Sequence, residues 1–531
     1  MKVLVSDPLS KEGIQILEEH VEVDVRPDIS PEDLVAAIGE YDGLVVRSRS
    51  KVTAEVIEAA NNLKVIGRAG VGVDNIDVDK ATEKGIIVLN APHGNTISTA
   101  EHAIAMLTSL ARNIASASCS VKQGEWNRSS FTGVELNKKT LGIVGLGRIG
   151  SEVARRTRAM GMKIIAYDPY VGAEQAEKLG VEKVTFEELI QNADFITLHL
   201  PMSSNTRHLI GEKEFKNMKK GVRIINCARG GLVDEKALCQ AIKDETVAGA
   251  ALDVFEKEPP SGCEFLEFDN VIVTPHLGAL TREAQTNVAL QVAEQVAKAL
   301  QGEPIVSAVN VPALMPEAKA ALEPYLPLMK VMGSFYLQMF GGQVDEIELI
   351  YSGEAASLHL APLTISCLIG FLKHIVGDGV NWVNAPYIAK ARGIDVREVS
   401  TTEVKNYSTL IKMIGRSGQE EHLISGTLLN NEMRLVRIDD FRIEIVPSRY
   451  TLMTTHHDRP GVVGKLGTLL GSNEVNIASM QLGRKAAGGD AMMALQVDNE
   501  INAETMEKIQ ALNLFDTAHF VVIENNIPGV K

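Results

Sequence analysis

Gly145-Leu-Gly147-Arg148-Ile149-Gly150 is the segment that most narrows what this chain can fold into. It follows the apolar run Leu141–Val144 and opens a stretch with helical apolar spacing. A glycine triplet in that context binds a pyrophosphate. The first glycine makes the tight turn, the second lets backbone approach the phosphates, and the third lets helix pack on strand. The helix N-terminus adds N–H donors and partial positive charge. The context therefore requires a parallel sheet with helices on both faces. Eighteen residues after Gly150 stands Asp168, at the end of the next apolar run and followed by Pro169-Tyr170 rather than a basic residue. A carboxylate there accepts hydrogen bonds from the ribose hydroxyls and repels a 2′-phosphate, so the cofactor read from the residues is NAD.

The flanking sequence supplies the rest of such sheets. Before the motif, short β-branched runs at Lys2–Ser6, Val21–Val25, Gly43–Arg47, Leu63–Arg68 and Ile86–Asn90 alternate with helical patterns at Lys11–His20, Pro31–Ile38 and Thr53–Ala60. This predicts a first parallel sheet. Thr96 to about Lys122 contains neither Pro nor Gly and reads as one long helix. A second series of strands is predicted at Leu141–Val144, Lys163–Tyr167, Phe195–Leu198, Val222–Asn226, Gly249–Leu252 and Val271–Thr274. Thr281–Gln301 reads as a helix, and 304–312 as a strand returning to the first unit. Pro312, Pro316, Pro324 and Pro327 mark a linker. Beyond it, strand patterns at Gln343–Tyr351 and Gly426–Val446 flank helical Ala361–Val376. The last stretch reads β-α-β-β-α-β, the ferredoxin-like order.

The fold class is therefore α/β, with two doubly wound parallel-sheet domains followed by an α+β domain and a ferredoxin-like domain. The proposed division is 1–96 with 288–314, 97–287, 315–447 and 448–531. Four domains agree with roughly 100–200 residues per domain for 531 residues.

Composition removes other classes. The balance of 53 Lys+Arg against 68 Asp+Glu gives −15, which disfavours nucleic acid and anionic membrane as partners. The five cysteines form no CxxC pair, so neither metal nor a disulfide framework is expected. Asp7 and Pro8 interrupt any leader-like apolar start, and Ala361–Leu372 is shorter than the ~20 residues of a membrane helix. The expectation is a soluble, cytoplasmic protein.

Three polar residues follow successive strands of the second unit: Arg229, Glu258 and His276. Strand carboxyl ends face the ligand crevice in such sheets. Singly, each has an ordinary reading as an ion-pair partner, a loop residue or a turn cap. Together they match hydride transfer to a 2-keto acid. A guanidinium holds the carboxylate and polarises the carbonyl, an imidazole carries the proton, and a carboxylate orients the imidazole.

At these residues the chain resembles the D-isomer-specific 2-hydroxyacid dehydrogenase family, through GLGRIG at 145–150, NCARGGLVDE at 226–235, ALDVFEKEPP at 251–260 and TPHLGA at 274–279. VVRSRSKVT at 45–53 and GRAGVGVDNID at 67–77 extend the likeness, which spans essentially the full length and is strongest to long bacterial members. The resemblance implies Arg229, Glu258 and His276 as the catalytic residues. It implies cofactor contacts at Gly145, Gly147, Arg148, Ile149, Gly150, Asp168, Leu200, Cys227, Ala228, Arg229, Asp253, His276, Gly278 and Ala279. Val71 stands where many members carry Thr. The implied reaction is NAD-linked oxidation of 3-phospho-D-glycerate to 3-phosphohydroxypyruvate, the entry to serine synthesis. A phosphorylated acid calls for cations, and Arg47 with Ser48, Arg68, and Asn95 are the candidates for substrate, with Arg128 secondary; each Arg has the ordinary alternative of a surface ion pair.

His456-His457-Asp458-Arg459-Pro460-Gly461 and Val475-Asn476-Ile477 resemble the ACT regulatory domain. That resemblance implies L-serine as effector, held between paired modules at His456, Asp458 and Asn476, in a homo-oligomer (dimer or tetramer). The ordinary alternative is a module that only pairs subunits. The intervening α+β region resembles one associated with a second anion site, for which Arg434, Arg437 and Arg442 are candidates. Two other readings stand beside this one: a hydroxypyruvate or glyoxylate reductase, and an NAD-sensing binding protein like the corepressors built on this scaffold.

Overall fold

Buried β-branched runs joined by amphipathic helices pair as parallel strands, because the crossovers leave both sheet faces covered. The computed structural model describes residues 1–303, 305–312, 320–404 and 406–530. In the first unit β1 (Lys2–Val5), β2 (Glu22–Val25), β3 (Gly43–Val46), β4 (Val65–Arg68) and β5 (Ile87–Leu89) form a parallel sheet in the order β2-β1-β3-β4-β5. The helix Arg282–Gln301, capped by Thr281 and closed by Gly302, packs back on this sheet. Its Val288, Val292, Val296 and Leu300 share one core with Val3, Val5, Val45 and Val65. The segment after it does reach β5, but not as the strand anticipated over 304–312. Among its described residues it makes one antiparallel bridge, Leu89 to Ala308. Asn90 N donates to Ser307 O and Val309 N to Val88 O, and the Asn310 side chain extends this short contact, accepting from Val88 N at 2.9 Å and donating to Ile86 O at 2.9 Å.

The second unit holds β6 (Thr140–Val144), β7 (Lys163–Tyr167), β8 (Glu182–Lys183), β9 (Phe195–Leu198), β10 (Val222–Asn226), β11 (Val247–Leu252) and β12 (Val271–Val273). All pairings are parallel, in the order β12-β11-β10-β9-β6-β7-β8. The order reverses between β6 and β9, which opens the crevice beyond the glycine turn. The single long helix anticipated over 96–122 is two helices, Thr96–Ala111 and Ile114–Lys122. Asn113, at φ 54°, breaks it. Absence of Pro and Gly did not protect the helix, since Asn also tolerates the left-handed region.

The third sheet contains β13 (Glu346–Gly353), β14 (Asp395–Thr401), β15 (Thr409–Ser417), β16 (Glu420–Leu429), β17 (Glu432–Ile438) and β18 (Phe441–Ile445), in the order β14-β13-β15-β16-β17-β18. Helices Tyr325–Phe340 and Leu360–Val376 pack on one face. Proline crowding predicts a linker at Pro324 and Pro327. They instead open the first of these helices, where a missing N–H costs nothing. Pro316 lies outside the described residues.

The last sheet has β19 (Tyr450–His457), β20 (Ile477–Arg484), β21 (Asp490–Val497) and β22 (Thr517–Val522), antiparallel in the order β20-β21-β19-β22. Read from its other edge, this is the ferredoxin-like order anticipated from sequence. One face carries helices Val462–Ser472 and Ala503–Ala511; from the other, Met453, Met492 and Val521 enter the core of the third unit. Among the described residues no helix is long and apolar enough to cross a membrane.

Candidate active site

The glycine turn is built as its sequence requires. Gly145 has φ 97°, a conformation open to glycine, and a Cβ on Gly150 would lie 2.1 Å from Gly145 O. Gly147 differs: a Cβ there would meet no protein atom within 4 Å. Nothing in the fold asks for glycine at that position, so the open space fits an approaching pyrophosphate. Gly147→Ala should therefore leave the melting temperature unchanged and weaken NADH binding roughly ten-fold in a fluorescence titration. Gly150→Ala should destabilise the protein itself. Asp168, 8% exposed, accepts from Leu146 N at 2.8 Å and from Tyr170 N at 2.8 Å. It thus fixes the turn from the end of β7.

Beside the turn lies a cavity of about 300 Å³. Arg148, Ile149, Leu200, Cys227, Ala228, Arg229, Asp253, His276, Gly278 and Ala279 line it, together with Val71, Asn95 and His199. Ten of the implied cofactor contacts therefore share one cavity, whereas the three glycines and Asp168 lie outside its lining. Burial pushes the Cys227 thiol well up, so it presents a neutral wall. His199 carried no sequence signal. Burial pushes it down to about 4, so it is neutral, and its Nδ1 has no protein partner.

A second cavity of about 620 Å³ adjoins the first. Arg47, Ser48, Arg68 and Asn95 reach it from the first unit, and Arg229, Glu258 and His276 from the second. Arg128 lies in an exposed turn and lines neither cavity. His276 Nδ1 is 2.9 Å from Glu258 Oε2 and 3.2 Å from Oε1. With Nδ1 so engaged, Nε2 is left for a substrate. Arg229 Nε donates to Asp74 Oδ2 at 3.2 Å and Nη1 to Ala228 O at 2.7 Å. Burial first, then the charges of Arg229 and Arg47, push Arg68 down to about 10; its Nε has no protein partner. Asn95 Oδ1 is likewise buried without a partner. The protein thus surrounds this cavity with three cations and leaves donor and acceptor atoms unsatisfied.

Two buried carboxylates hold these parts in place. Asp7, 2% exposed, accepts from Arg47 N, Ser50 N and Ser50 Oγ and so shapes the Arg47–Ser50 loop. Asp253 accepts from Thr274 Oγ1 at 2.6 Å, Leu277 N at 2.7 Å and Gly278 N at 2.8 Å. Burial pulls Asp253 up, but these bonds and one from His102 prevail and hold it below the usual carboxylate range. Asp253 is thereby the brace of the turn carrying His276, as well as part of the cofactor wall. Sequence gave no sign of either brace, nor of Asp74, since each acts on a segment distant along the chain.

The effector candidates are not brought together within one chain. His456 ends up buried beside Phe515, with Nδ1 unpartnered. Asp458 Oδ2 is 3.2 Å from Arg484 Nη1, at the far end of β20. Asn476 precedes β20 at its other end and donates to Asp498 Oδ2 at 2.6 Å. The eight residues of β20 span roughly 23 Å between the two ends. In the third unit Arg434 is taken by Glu432 at 2.7 Å and Glu444 at 3.3 Å, and Arg437 donates to Asp439 O. Arg437 and Arg442 are cross-strand neighbours.

Comparison with known proteins agrees with this geometry. Residues 104–278 match the NAD-binding domain of the D-isomer specific 2-hydroxyacid dehydrogenases. Residues 321–439 match the intervening domain of D-3-phosphoglycerate dehydrogenase, and 450–513 the ACT domain. The D-3-phosphoglycerate dehydrogenase of Synechocystis sp. is 48% identical over 94% of this chain and 91% of its own length. That of Methanocaldococcus jannaschii is 48% identical over 98% and 99%. The chain belongs to the D-3-phosphoglycerate dehydrogenase family. Solved structures match its first two units: a glyoxylate reductase from Paecilomyes thermophila (34% identity, TM-score 0.54, 58% of this chain and 98% of that one) and an Aquifex aeolicus D-lactate dehydrogenase complexed with NAD and lactic acid (30%, 0.51, 57% and 96%). What sets this family member apart from those shorter relatives is the remainder, the intervening and ACT regions.

Proposed function

We propose that the protein oxidises 3-phospho-D-glycerate to 3-phosphohydroxypyruvate with NAD, the first step of phosphorylated serine synthesis. The observation that carries this reading is the convergence of Arg47, Arg68 and Arg229 with the Glu258–His276 pair in one cavity beside the cofactor wall. Arg229 holds the substrate carboxylate and, in reverse, polarises the keto oxygen. Arg47, Ser48 and Arg68 take the phosphate through charge-assisted bonds. Asn95 bonds the acid between them. His276 Nε2 accepts the hydroxyl proton during oxidation and returns it during reduction, while Glu258 at Nδ1 orients the ring. What bound NAD supplies is a hydride acceptor.

The ACT region supports control by L-serine at His456, Asp458 and Asn476. Because these lie at opposite ends of one sheet, an amino acid bridging them is held between two copies, in a homo-oligomer. A cytoplasmic location accords with such an enzyme.

One assay tests the reading. NADH consumption is measured with phosphohydroxypyruvate, hydroxypyruvate and glyoxylate, with and without serine. Phosphohydroxypyruvate should be preferred roughly a hundred-fold in kcat/KM, with serine inhibiting. Equal use of the unphosphorylated acids would instead mark a hydroxypyruvate or glyoxylate reductase, and no turnover a binding protein.

A further inference from the structure

Behind the two loops that carry Arg229 and Glu258 sits a cluster that lines neither cavity. The loops touch through their backbones: a Cβ on Gly230 would lie 1.8 Å from Phe255 O and 2.8 Å from Glu256 N. His208 reaches both loops. Its backbone N donates to Gly231 O at 2.7 Å, on the Arg229 side. Its ring Nε2 is 3.1 Å from Glu256 Oε1, on the Glu258 side. Nδ1 is 3.6 Å from Asp234 Oδ2. Glu256 is tied in turn to the helix Glu235–Lys243. Glu256 N donates to Glu235 Oε1 at 2.7 Å, and Glu235 N to Glu256 Oε1 at 3.4 Å. Phe255 N, next along, donates to Glu258 Oε1 at 3.3 Å, which connects the cluster to the carboxylate that orients His276. His208 has φ 50°. A bulky residue in that region persists only where its surroundings hold it.

We propose that His208 and Glu256 form a clasp that fixes the Arg229 loop against the Glu258 loop. Both are positioning residues: they touch neither substrate nor cofactor and act through the spacing of Arg229 from the Glu258–His276 pair. Both side chains are about one third exposed (36% and 32%), so as an ion pair they add little stability. Their contribution lies in alignment. Hydride and proton transfer need the acid carboxylate and His276 in register, and a misplacement of about 1 Å costs as much as a hundred-fold in rate.

The inference rests on the dehydrogenase reading of the cavity, and two measurements keep the two separable. Wild-type turnover tests that reading alone. The clasp is read from variants relative to wild type, and independently of turnover from the imidazole ¹⁵N signals of His276, which report its bond to Glu258. His208→Ala and Glu256→Ala, each of which removes the hydrogen bond between the two side chains, should each lower kcat roughly ten- to hundred-fold with KM for the phosphorylated acid and NADH affinity nearly unchanged. The double variant should be no slower than the slower single one. His208→Gln, which can still donate to Glu256, should recover most of the rate. The His276 signals should move in His208→Ala and return in His208→Gln. Wild-type kcat in both single variants, losses that multiply in the double variant, or unmoved His276 signals would overturn the clasp. Should His208→Ala fail to fold, Glu256→Ala decides alone by the same readouts.

Discussion

His276→Ala should lower kcat by about three orders of magnitude while NADH still binds with near-wild-type affinity. The size follows from what the imidazole does: it carries the only proton exchanged with the substrate hydroxyl, and Glu258 at 2.9 Å sets its orientation. Cofactor affinity survives because the turn stands without the ring. Gly278 O accepts from Ser98 Oγ at 2.8 Å and Thr99 Oγ1 at 3.2 Å, and Asp253 accepts from Leu277 N and Gly278 N. One complication is local. His276 has φ 56°, where alanine is strained and asparagine is tolerated. His276→Asn is therefore the companion variant, with the turn kept and the proton carrier removed. Steady-state kinetics and fluorescence titration of NADH check both. Substantial turnover in His276→Asn would sink the proton-transfer role.

Sequence revealed the features that act locally. The turn at Gly145–Gly150 was readable because glycine spacing reports backbone conformation directly. Arg47, Arg68, Arg229 and His276 could be placed at one crevice because each ends or follows a strand, and parallel strands end on one side. What escaped were the partners that meet across the fold. Asp7, Asp74, Asp253's bracing bonds and the His208–Glu256 clasp join residues 21 or more apart in most of their contacts, and no pattern along the chain encodes such pairs. Local rules also misled at particular residues. Asn113 breaks a stretch free of Pro and Gly, and Pro324 and Pro327 start a helix rather than a linker. In the ACT region the residues were recognisable, but only the sheet order reveals that Asn476 and His456 lie at opposite ends.

Arg68→Met should cut kcat/KM for phosphohydroxypyruvate roughly a hundred-fold, and for hydroxypyruvate by less than ten-fold, since a charge-assisted bond left unmade costs about 1.5–3 kcal/mol. Arg47→Ala should act in the same sense but less strongly, because Arg47 is more open and already donates to Pro8 O. The more telling effect is on stability. Burial and the neighbouring Arg229 and Arg47 depress Arg68 to about 10, so the fold disfavours its cation yet the residue remains charged at neutral pH. For a base whose folded value is depressed, the penalty is present below about pH 10 and is relieved as pH rises through it. Removing the charge at pH 7 should therefore leave the melting temperature equal to or above that of wild type, although a cleft residue has been lost. An anion in the cleft reverses the argument. Inorganic phosphate should raise the melting temperature of wild type and have little effect on Arg68→Met, and substrate affinity should weaken as pH rises toward 10. Thermal melts with and without phosphate, run beside the two-substrate kinetics, separate recognition of a phosphate from ordinary packing. Equal loss for both acids, together with a lower melting temperature, would make Arg68 a packing residue and remove the cation on which the substrate assignment most depends.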